Sequence, residues 1–240
     1  MIQQIMLSVA NMFSIIGIGL LPLFLLRLLP LFNNWEKVTL AIPLGLGING
    51  WILFMLGSCG YLNKATSLLI ILSGVIALLY FFPHLKLSVT SKLSSISYLL
   101  ITIIIYVFLL DFLEGFLPPG DADTLAYHFA IPKVMSETGS IVFTPRAVDG
   151  AVPLLVQITY VPLLILGGEV ALTMWVFISG WYLAFMLFVL ARRYLSLEWS
   201  LSLVVLLITA PIIVGTSGSG QIETRLALFA LGSSFVMMLA

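Results

Sequence analysis

Eight apolar runs separated by short polar breaks leave this chain almost no way to fold in water. They cover Ile5 to Phe32, Val38 to Leu62, Ala65 to Phe82, Ser97 to Phe116, Val152 to Gly168, Ala171 to Ala191, Ser200 to Gly215 and Leu226 to Ala240. Most approach the ~20 residues that a helix needs to cross a ~30 Å hydrocarbon layer. With 61% hydrophobic and 8% charged residues, too few polar groups exist to make a water-facing surface. The expected fold class is all-α: a polytopic transmembrane helical bundle whose longest polar loop carries short interfacial helices.

The residues before Arg27 include no Lys or Arg, and the first run is longer than a signal-peptide core, so the N-terminus is expected to stay attached as a membrane helix. Cys59 is the only cysteine, which excludes an internal disulfide and a thiolate metal cluster. A formal net charge of zero favours no nucleic-acid partner. The last run stops at Ala240 without a polar flank or basic anchor, which reads as a chain cut inside a membrane helix, the N-terminal piece of a longer protein.

Two polar interruptions stand out. The longer, Leu117 to Gly150, opens with Pro118-Pro119-Gly120, which must end the preceding helix. Within it Thr124 to Met135 is loosely amphipathic and suits a short interfacial helix that Pro132 breaks or bends. The second interruption is Thr216 to Thr224. Lys86, Lys92, Arg27 and Lys37 place the segment Pro83 to Ile96 on the cytoplasmic side and Leu117 to Gly150 outside, with Lys64 as the exception. Three crossings between the two interruptions would then put Glu223 opposite Asp121 and Asp123. If these acids share a site, one run does not span. Val152 to Gly168, with Pro153, Pro162 and the Gln157 amide, is the weakest, and laying it along the outer interface or making it re-entrant also returns Arg192 and Arg193 to the cytoplasm.

Ionisable groups beside hydrocarbon mark candidate sites. Asp121 and Asp123 resemble an Asp-x-Asp metal-holding motif, a weak signal by itself; the plainer reading has Asp123 capping the next helix and Asp121 solvated in the turn. Tyr127 follows Asp123 by four residues, on the same side of any helix starting there, with His128 beside it. Asp111 and Glu114 sit three apart at a helix end, either lining a cavity or solvated at the headgroups.

Asp123-Thr124-Leu125-Ala126-Tyr127-His128, then Pro132-Lys133, Glu137-x-Gly139-Ser140-Ile141 and Pro145, resembles the first extracytoplasmic loop of the membrane-embedded GT-C glycosyltransferases, in particular the aminoarabinose transferase and protein mannosyltransferase group. Leu166 to Ala171, Ala191 to Arg193, Pro211 and Gln221 to Phe229 follow in the family's order. The resemblance covers residues 97–240, a partial GT-C-like module, and leaves 1–96 as transmembrane helices of unassigned role. It implies a cytoplasmic (inner) membrane protein with active loops outside, a polyprenyl-phosphate sugar as donor, no nucleotide, and an acceptor it does not name. Asp123 takes the place of the family's first-loop acid, with Asp121 an additional acid; Glu223 sits where a later loop carries a second carboxylate. Tyr127, His128, Gln221 and Arg225 are the implied substrate-binding residues.

Chemistry argues along the same line. Sugar transfer from a phosphate leaving group needs a carboxylate to accept a proton and positive charge for the departing phosphate. Asp123 and Glu223 are oxygen ligands that suit Mg²⁺ or Mn²⁺. Arg225, Arg146 and Lys133 are candidate phosphate partners, with interface anchoring the plainer reading for Lys133 and Arg146 and a Glu223–Arg225 ion pair the plainer one for Arg225. Two histidines, His84 and His128, in different loops give no zinc-ligand spacing. The competing classes are a secondary transporter, which would place acids within helices and show paired repeats, and a non-catalytic membrane scaffold.

Overall fold

A computed structural model describes residues 2–85, 92–142, 155–217, 220 and 222–239. Among these the chain is all-helical: α1 (Ile2–Leu25), α2 (Asn34–Ser58), α3 (Lys64–Phe81), α4 (Ser95–Glu114), α5 (Ala130–Thr138), α6 (Val161–Ala191), α7 (Leu197–Ile208), α8 (Pro211–Ser217) and α9 (Glu223–Leu239). Five stretches are long and apolar enough to cross a membrane: Ile2–Leu25, Asn34–Ser58, Lys64–His84, Ser95–Glu114 and Gln157–Ala191.

Helix starts follow side-chain chemistry. The side chains of Asn33, Asn63 and Ser94 each accept a backbone N–H of the first turn, and their own backbone N–H groups donate in return to the Glu36, Thr66 and Ser97 side chains, three capping boxes that satisfy donors water cannot reach in lipid. α5 ends on Gly139 in the left-handed region (φ 73°). Pro132 does not break this helix. It occupies the first turn of α5, where its missing N–H costs nothing.

Small residues then set the packing. A Cβ on Gly19 would strike the Ala41 carbonyl and one on Gly45 the Ile15 carbonyl, so α1 and α2 run antiparallel at close range. Gly17 meets Gly74 and Ser14 Oγ donates to the Ile70 carbonyl (3.2 Å), which lays α3 parallel to α1. α6 threads the middle, with Leu163, Leu172, Trp175 and Met186 fully buried. The main core joins Ile15, Leu20 and Leu40 to Tyr160, Trp175 and Leu228, so it draws on both sides of residue 96. α4 stands at the edge with only Ser97 buried, held by Trp181 Nε1 donating to Asp111 Oδ2 (3.0 Å) and by Glu198 accepting from Ser94 and Ser97.

Of the later apolar runs, one keeps its expected division and one does not. Val152 to Gly168 and Ala171 to Ala191 were expected as separate segments, and the described part of α6 is accordingly two helical pieces that meet at a sharp break at Gly168 (φ 71°, ψ −164°), a conformation open to glycine. The described part begins and ends beside the same loop, since Gln157 bonds His128 and Glu169 pairs with Lys133. Ser200 to Gly215 instead splits at Pro211, which opens α8. α7 and α8 carry the chain from Glu198, beside the start of α4, to Gly220, beside Thr124. α9 then returns, passing Ser179 at Arg225, Met186 at Gly232 and Arg193 at Phe235.

Candidate functional site

The carboxylate turn is built by Asp121, not Asp123. Asp121 Oδ1 accepts the Thr124 N–H at 2.8 Å, and Thr124–His128 winds as one wide turn with i to i+5 bonding, closed by the Phe129 N–H on the Thr124 carbonyl (2.9 Å). Asp123 makes no cap bond and is exposed, which reverses the plainer reading of the two acids. One carboxylate is spent on the backbone. The other faces outward.

A buried latch joins this turn to segments far away in sequence. Thr124 Oγ1 accepts the Gly220 N–H (2.9 Å), and Tyr160 OH donates to the Gly220 carbonyl (3.2 Å). A Cβ at Gly220 would lie 2.5 Å from the Phe129 ring and 2.7 Å from the Thr124 methyl, so only glycine fits between them. Thr124 and Tyr160 are fully buried. Three residues after this latch, Glu223 is exposed at the first turn of α9.

His128 sits under these acids. It is buried, its ring lies 4.2 Å from that of Tyr127, and the Gln157 amide donates to Nδ1 at 2.8 Å. An amide nitrogen can only donate, so this bond sets the neutral imidazole with its proton on Nε2. Burial pushes the His128 pKa below its ordinary value; the Glu223, Asp121 and Asp123 carboxylates oppose that shift, and Arg225 adds to it. Charged groups from both loops thus act on one imidazole.

Arg225 is spent inside the bundle. Its Nε donates to Ser179 Oγ (3.0 Å) and an Nη group to the Val176 carbonyl, and the side chain is 1% exposed. Lys133 pairs with Glu169 at 2.8 Å on the surface, which raises its pKa through that hydrogen bond. Glu114 is exposed at the end of α4. Gln221 and Arg146 lie outside the described residues. Among the described residues no three His, Cys, Asp or Glu side chains gather as a cation-binding group.

Sequence reading passed over Thr124, Tyr160 and Gly220, and treated Gln157 only as an interruption of an apolar run. The available signal was a cluster of hydrogen-bonding side chains, Gln157, Thr159 and Tyr160, in a segment too apolar to be a solvated loop. Compared with family models, with curated proteins and with solved structures, the chain matches none.

Proposed function

We propose that this chain belongs to a GT-C-type membrane glycosyltransferase that moves a hexosyl or pentosyl group from a polyprenyl-phosphate donor to an acceptor at the outer face of the cytoplasmic membrane. One observation supports the reading: Thr124 and Tyr160 hold Gly220, three residues before the exposed Glu223, against the turn that follows the exposed Asp123. Re-entry of the segment ending at Gly168 is what lets both loops share a face. An apolar crevice of about 760 Å³ between α1, α3, α4 and α6, lined by Phe13, Leu78, Ile105 and Phe177, offers room for an isoprenoid chain within the bundle.

In this reading the acceptor hydroxyl attacks the anomeric carbon while Asp123 takes its proton. The anomeric C–O bond breaks, and its electron pair leaves with polyprenyl phosphate. Proton acceptance by a placed carboxylate contributes ~10²- to 10⁴-fold in rate. Asp121 shapes the turn, Glu223 orients the acceptor, and His128 Nε2–H donates to a sugar or phosphate oxygen. Arg225 supplies positive potential from below rather than an exposed fork.

A secondary transporter is the second reading, favoured by the helix breaks at Gly168 and Pro211. Protein in lipid nanodiscs, given radiolabelled undecaprenyl-phosphate hexoses and pentoses with a panel of hydroxyl acceptors, distinguishes the two. Release of undecaprenyl phosphate that Asp123→Asn abolishes supports the transferase. No release by the wild type with any pair overturns it.

A further inference from the structure

The polar side chains deepest in the bundle belong to no loop and to no part of the candidate site. Gln4, Ser8, Asn11 and Ser14 recur at helical spacing along α1. Ser8 and Ser14 are satisfied, on the Ala171 and Ile70 carbonyls. Asn11, 1% exposed, is not: neither its Oδ1 nor its Nδ2 has a hydrogen-bond partner among the described residues.

The helix registers bring three more such groups to the same level. Gly45 packs on Ile15 in the antiparallel α1–α2 pair, so one turn further along Asn11 stands level with Asn49, 0% exposed and likewise without a partner at either amide atom. On parallel α3, Ser67 precedes Ile70 as Asn11 precedes Ser14, and its Oγ is unpartnered and buried. On α6, Trp175 lies one turn beyond Ala171, the partner of Ser8, and its Nε1 is unpartnered and buried. Among the described residues, four helices thus bring six polar atoms without a hydrogen-bond partner to one level. Leaving such groups dry is costly, and replacing lipid or side chains around them offers no remedy.

We infer that Asn11, Asn49, Ser67 and Trp175 form an internal water-binding site. Both amides and the hydroxyl offer donors and acceptors, and the indole adds a donor, which matches the ~3 hydrogen bonds a buried water makes. The layer contains no carboxylate, so a bare cation would lack a countercharge in a low-dielectric setting; a neutral occupant fits. The Leu155 carbonyl approaches Gly50, the neighbour of Asn49, so the segment that carries Gln157 lies over the site.

Hydroxyl-radical footprinting by X-ray pulses of the protein in nanodiscs, in H₂¹⁸O, tests this, because radicals formed from bound water oxidise the side chains that touch it. The expected result is ¹⁸O incorporation at fully buried Trp175 within about tenfold of the rate at exposed Trp199, with equally buried Met186, set among apolar side chains, unlabelled. Asn11→Leu combined with Asn49→Leu brings Trp175 down to the level of Met186. Trp175 as unreactive as Met186 in the wild type overturns the inference, showing a dry layer in which the amides pair with each other. Trp175 labelling that persists in the double variant also overturns it, by placing the water elsewhere. The wild-type comparison stands by itself if the double variant does not assemble.

Discussion

Two groups of acids at opposite ends of the bundle are treated in opposite ways. Glu36 is 0% exposed and fully committed: it accepts the Asn33 N–H at 2.9 Å in a capping box and Arg193 Nη1 at 3.1 Å, while Arg193 also lies over the Phe235 ring. Asp123 and Glu223 are exposed, and the turn that holds them is built by other groups: Asp121, Thr124, Tyr160 and Gly220. An acid whose oxygens are consumed by the fold explains stability. An acid held in place by its neighbours, with its own oxygens open, is available for chemistry.

The sharpest way to break this contrast is to remove each kind of acid in turn. Asp123→Asn is expected to lower donor turnover by ~10²- to 10⁴-fold, with no change in thermal midpoint; a fall in midpoint of the same protein would move Asp123 into the structural group. Glu36→Ala should do the reverse, costing about 2–3 kcal/mol of stability, at or just below the usual range because Arg193 is partly exposed and can rehydrate. Thermal unfolding in nanodiscs reads both. A Glu36→Ala protein as stable as the wild type would show that the buried pair contributes little.

Smaller effects sharpen the account of the latch. Gly220→Ala pushes a methyl group against Phe129 and Thr124, and overpacking of this kind costs about 1–3 kcal/mol. Its turnover should fall with its stability, because the same residue seats Glu223. Full turnover in a folded Gly220→Ala protein would uncouple the two loops.

Protonation of His128 gives a pH signature. Its folded-state pKa lies below the ordinary 6.5, so between the two values the unfolded chain holds a proton that the folded chain lacks. Stability therefore rises with pH through that window and is lost as pH falls below the ordinary 6.5 toward the lower folded-state value, as Nδ1 gains a proton and can no longer accept from Gln157. His128→Gln should flatten that part of the midpoint-against-pH curve; an unchanged slope assigns it to another group. At the bottom of the scale, Lys133→Ala should leave the midpoint where it is, because its pair with Glu169 lies in water.

Most of the bundle was legible in the sequence for local reasons. Apolar runs gave the long helices, and Asn33, Asn63 and Ser94 mark starts that side-chain capping dictates. Pro211 was visible too, yet one continuous run hid that it divides α7 from α8. What could not be read depends on contacts distant in sequence. That Thr124 Oγ1 meets the Gly220 N–H, 96 residues away, is such a contact. Asn11 and Asn49 look like isolated polar residues until the α1–α2 register brings them level.

The claim that Asp123 and Glu223 form one site, unspent on the fold, is tested most directly by a double-mutant cycle on undecaprenyl phosphate release. Asp123→Asn, Glu223→Gln and their combination are assayed side by side with the wild type, with thermal midpoints as a control. The account predicts that both single changes slow release at unchanged midpoint and that the double change costs clearly less than their sum, since side chains that share an occupant couple by about 0.5–3 kcal/mol. Additive losses, or a Glu223→Gln protein that turns over like the wild type, would contradict it.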